Sequence, residues 1–76
     1  MKDFETKKKE LEEIIFDSLG DLIPPEEIVI QKIGGGKIAV IIPRTYGIPK
    51  QMFYDEWKHA VEGTEYENDK NVDLYV

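Results

Sequence analysis

His59 is the single histidine of the chain, and imidazole is the side chain whose ordinary titration falls near neutral pH. Asp55 and Glu56 precede it by four and three residues, spacings that set a carboxylate beside the ring on a helix. A base oriented in this way still needs a nucleophile or a substrate proton within reach. The aliphatic hydroxyls on offer are Thr6, Ser18, Thr45 and Thr64, and none stands in a nucleophile-elbow context such as G-x-S-x-G. There is no cysteine, so thiol nucleophiles, disulfides and thiolate zinc sites are excluded. His59 therefore reads as an exposed helix histidine among favourable acids. The expectation is a protein that is not an enzyme and uses no metal and no cofactor.

Gly34-Gly35-Gly36-Lys37 has the look of a phosphate cradle. A P-loop, however, joins a strand to a helix and follows its lysine with Ser or Thr. Here strand-like residues stand on both sides, and Ile38 follows the lysine, so the glycines read as a hairpin turn. The adjacent acid pairs Glu12-Glu13, Glu26-Glu27 and Asp55-Glu56 invite the same test. Neighbours on a helix diverge by about 100°, so the helical pairs share neither a proton nor a metal. Asp69-x-Asn71-x-Asp73 imitates the start of a calcium loop, but lacks its glycine at position 6 and its glutamate at position 12.

The elements that must carry these residues follow from periodicity. Phe4, Leu11, Ile15 and Leu22 share a helical line flanked by Ile14 and Leu19, which predicts a helix over 3–19 with Asp3 as N-cap and Gly20 as stop. Phe16 lies off this line. Pro24-Pro25 ends the helix, and the β-branched run 28–33 argues for a strand in place of a short helix at Glu26-Glu27. Residues 37–42 form its hairpin partner across Gly34–Gly36. A three-residue loop there puts Ile28, Ile30, Ile38, Val40 and Ile42 on one face and Val29, Ile33, Ala39 and Ile41 on the other. Both faces are apolar, so the second is expected to lie under a helix, a partner chain or a copy of itself. A second helix is expected from Pro49 to about Glu62, burying Phe53, Trp57, Ala60 and Val61, with Gly63 as its stop. Val72 to Val76 alternates as an edge strand, with Val72, Leu74 and Val76 inward. The fold class is α+β: one domain, 1–76, with α-β-β-α-β order and its helices packed on a small, mainly antiparallel sheet.

Charge locates the candidate surfaces. The 76 residues hold 16 acids and 10 bases, net −6. Residues 1–23 have net charge −3, residues 24–50 net +2 and residues 51–76 net −5. Glu62, Glu65, Glu67 and Asp69 fall in a stretch without a base, with Tyr66 among them, and this set is the candidate partner-binding site. Carboxylates there would meet Lys or Arg of a basic protein, and an exposed Tyr66 would add contact area. Lys32, Lys37, Arg44 and Lys50, with Tyr46, are a candidate anion-binding patch.

The order helix, hairpin, helix, strand resembles the type II arrangement of KH RNA-binding domains. A KH site needs a G-x-x-G loop between two helices, whereas Gly34–Gly36 lies in a hairpin and the charge balance is acidic. In size and charge the chain looks like small phage- or plasmid-encoded inhibitors, including anti-CRISPR and nuclease-inhibitor proteins, with no motif in common. The expected function is a small acidic protein-binding module that inhibits or modulates a basic, nucleic-acid-handling protein. Two alternatives stand beside it: a self-assembling structural or accessory module, dimerising through the hairpin or the terminal strand, and nucleic-acid binding through the lysine-bearing hairpin, which the acidic balance disfavours. No stretch of about 18 apolar residues is present, so no membrane is expected, and the expected location is cytoplasmic.

Overall fold

The computed structural model describes residues 2–76. Helix α1 spans Phe4–Phe16, and its N-cap is Asp3, whose carboxylate accepts the Thr6 backbone N–H at 2.9 Å. That bond holds the Asp3 carboxyl below its ordinary range. The helix ends three residues earlier than its periodicity suggests. Asp17 caps it, and the Ser18 hydroxyl turns back to the Ile14 and Ile15 carbonyls, offering the backbone an alternative to a further turn. Two short 3₁₀ turns follow, Leu19–Asp21 and Pro25–Glu27. The second corrects the purely extended reading of this stretch: Pro25 at the first position of the turn presets its φ.

Strands β1 (Val29–Ile33) and β2 (Lys37–Ile41) pair antiparallel in the expected register, with Val29 opposite Ile41 and Ile33 opposite Lys37. Gly35 and Gly36 take positive φ, +76° and +74°, which closes the three-residue turn. Helix α2 (Lys50–Val61) then carries the chain back, and Gly63 at φ +79° turns it away. Strand β3 (Val72–Tyr75) pairs with β2 in parallel, so the three-stranded sheet is mixed, in the order β1-β2-β3. The parallel pair follows from the α2 crossover, since a helix between two strands returns the chain to the end where the first strand began.

Both helices lie on one face of the sheet. Ile30, Ile38, Val40, Ile42, Val72 and Leu74 meet Leu11, Ile15, Leu19, Phe53 and Val61 in a single core. Phe53 is fully buried, and that burial contributes about 2–3 kcal/mol. Trp57 packs at the margin of this core, and Trp57 and Ala60 are half-buried where full burial was expected. Val72 and Leu74 face inward while Asp73 and Tyr75 face out, as their alternation predicts. Of the three covers expected for the opposite face, a helix of the same chain is not the one. Among the described residues no element covers Val29, Ile41 and Tyr75, which the two registers align in one row across the three strands. Ala39 is buried there because it is small and has a neighbouring strand on each side.

Candidate functional site

The topology sets the acidic segment, the hairpin tip and the start of α1 at one end of the molecule. Residues 62–71 descend from α2 and enter β3, where the Asn71 carbonyl accepts the Ile38 N–H at 2.7 Å. A chain of local bonds shapes this segment. Thr64 donates its hydroxyl to the Val61 carbonyl at 2.7 Å and accepts the Tyr66 N–H at 3.1 Å. The Asp69 carboxylate accepts the Asn71 N–H at 2.9 Å, an Asx turn that leads into β3.

Tyr66 corrects the expectation of an exposed ring. It is 4% exposed and belongs to the core. Its hydroxyl donates to Glu10 Oε1 at 2.5 Å. Lys2 Nζ bridges Glu10 at 2.7 Å and Glu65 at 2.8 Å, completing a four-residue network that ties Lys2 and the middle of α1 to the acidic segment. Hydrogen bonds from Lys2, then from Tyr66, hold the Glu10 carboxyl below its ordinary range. Bonds to Glu10 and Glu65 raise Lys2. Burial, then the bond to Glu10, pushes the Tyr66 hydroxyl well above the ordinary tyrosine value.

The five candidate contact residues thus separate by role. Glu62, Glu65 and Glu67 are exposed. Tyr66 anchors the segment from beneath, and Asp69, half-buried, shapes its last turn. Lys2 partly neutralises Glu65. His59 Nδ1 lies 3.7 Å from Glu62 Oε2, and Asp55 instead accepts from Gln51 at 3.0 Å. The pairing of His59 with Asp55 or Glu56 expected from spacing is therefore replaced by one toward the helix end. His59 remains largely exposed, with no hydroxyl bonded to it among the described residues.

The candidate anion-binding residues do not converge. Lys32 and Lys37 stand at the hairpin tip and project from opposite faces, because Lys32 lies opposite Ile38 and Lys37 opposite Ile33. Arg44 and Lys50 lie beyond the other end of β2, which from Lys37 to Ile41 spans about 13 Å. Arg44 is engaged locally, 3.4 Å from Glu27 and stacked on the Tyr46 ring at 4.9 Å. The Tyr46 hydroxyl bonds to Glu27, which raises its pKa, while its backbone sits at φ +54°. Sequence reasoning missed this Glu27–Arg44–Tyr46 staple; its members lie up to 19 residues apart, and no local pattern joins them. Among the described residues no three His, Asp or Glu side chains converge as a metal site, and no helix is long and apolar enough to cross a membrane. The chain matches no protein-family model, no curated protein and no solved structure.

Proposed function

We propose that this chain is a small cytoplasmic protein-binding module whose acidic α2–β3 segment engages a basic, nucleic-acid-handling protein and inhibits or modulates it. The observation that supports this reading is the anchoring of Tyr66. A buried ring between exposed Glu65 and Glu67 holds both carboxylates outward on a turn that is shaped before any partner arrives. Pre-organised charges lose less conformational freedom on binding, and they accelerate encounter with a surface of opposite sign. The test compares proteins retained from an extract of the source cells by the wild-type chain and by an E62K/E67K variant. A basic protein retained by the wild type, released by salt and lost with the variant is the expected result. Retention of the same proteins with the same salt dependence by both chains would overturn the proposal.

A second reading, self-association, draws on the uncovered sheet face, where Val29 and Tyr75 are 43% and 46% exposed in one row with Ile41. A strict monomer by sedimentation at high concentration argues against it.

A further inference from the structure

We propose that the free edge of β1 pairs with the β1 edge of a second copy of this chain, forming a continuous six-stranded sheet about a two-fold axis through Gln31. The inference rests on the self-association reading and names its interface.

Strand β1 is one edge of the sheet, so one side of its backbone has no strand partner. Apolar surface borders this edge on both faces. On the helical face a groove of about 500 Å³ runs between α1 and β1, lined by Ile15, Phe16, Ile28 and Ile30. Phe16 is 61% exposed there, the most exposed large apolar side chain among the described residues. On the open face Val29 is also exposed. Of the two edge strands, only β1 lines this groove. A strand laid beside β1 sends alternate side chains to the two faces, so it uses the groove and the open face together.

Charge selects a second copy as that strand. Glu12 and Glu26 line the groove, and neither has an ion-pair partner among the described residues. Lys32, on β1 itself, projects from the same helical face. Antiparallel pairing centred on Gln31 sets Ile30 against Lys32 of the second copy and brings that lysine to the groove carboxylates. It also sets Val29 against Ile33 of the second copy on the open face. Above the groove, Lys8, Glu12 and Phe16 follow one another at four-residue steps along α1. The two-fold reverses this row and brings Lys8 of one copy toward Glu12 of the other. A surface that supplies both the cation and the acid is self-complementary, as an isologous interface requires.

The chain has no cysteine, which makes a cross-linking test clean. Antiparallel pairing on a two-fold places the two Gln31 Cα atoms about 4.5–5.5 Å apart, within the span a disulfide bridges. The exposed Q31C variant is therefore expected to oxidise to a disulfide dimer far faster than K58C, on the exposed side of α2. Sedimentation of the wild type at sub-millimolar concentration is expected to give twice the 8.8 kDa chain mass. K8E and E12K are each expected to shift the chain to monomer with unchanged circular dichroism, and the K8E/E12K double variant to recover part of the dimer, because Lys32 of the second copy then meets Glu26 alone. A dimer in which Q31C cross-links no faster than K58C would overturn this interface and leave self-association standing. A wild-type monomer at the same concentration would overturn both.

Discussion

Replacing Tyr66 separates the ring from the hydroxyl. Tyr66→Phe keeps the buried ring and removes the bond to Glu10. The other end of that bond is only partly shielded, because the Glu10 side chain is 35% exposed and water can replace the lost donor. The expected cost is about 1 kcal/mol, that of an ordinary hydrogen bond. Tyr66→Ala removes the ring as well and opens a cavity beneath the acidic segment, at a cost of about 3–5 kcal/mol. A domain of 76 residues has a total stability of about 4–11 kcal/mol, so the alanine variant loses about a quarter of it or more. Urea denaturation with a shared slope measures both differences. In thermal melts the phenylalanine variant should fall by about 4–8 °C and the alanine variant by at least about 12 °C. Hydrogen exchange supplies the local readout: the amides of residues 64–71 should lose protection in Tyr66→Ala and keep most of it in Tyr66→Phe. Equal losses in the two variants would refute the argument, because the hydroxyl would then carry the anchoring. An alanine variant within about 1 kcal/mol of wild type would refute the placement of Tyr66 in the core.

The hairpin turn and the pH dependence supply two further expectations. Gly35→Ala and Gly36→Ala should each cost about 1–2 kcal/mol by chemical denaturation, because each forces Cβ into the left-handed region. Gly34→Ala should cost far less, since Gly34 has no positive φ and its Cβ would meet nothing within 4 Å. The pH profile should be a plateau with two edges. Asp3 and Glu10 titrate lower in the folded chain than their ordinary 3.8 and 4.5, so their contribution is complete above those values and is lost as pH falls below about 4.5. Tyr66 titrates higher when folded than its ordinary 10.0, so its contribution is present below pH 10 and declines as pH rises beyond it. Melting temperature measured across pH should show both edges, and Glu10→Gln should flatten the acid one.

Elements governed by neighbours along the chain were legible without coordinates. The hairpin register follows from three glycines between two β-branched runs, because the turn length fixes which residues face each other. The α2 stop at Gly63 and the alternation of β3 are local in the same sense. The end of α1 was less legible, since the bonds from Ser18 back to Ile14 and Ile15 compete with a helical periodicity that continues past them.

What the sequence determined by itself was the α+β class, the faces of its strands, the missing thiol chemistry and the place along the chain where acid accumulates. Only the tertiary structure decided what those acids surround. Tyr66 looks like an exposed aromatic because its neighbours are charged, yet the fold turns it beneath them onto Glu10, 56 residues away. Lys32, Lys37, Arg44 and Lys50 look like one patch because they are close in sequence, yet the length of β2 divides them. Strand β3 reads as an edge from its alternation, and its parallel direction is set by the helix that delivers it. Periodicity reports which face of an element is buried, whereas direction and long-range pairing depend on how the elements pack together.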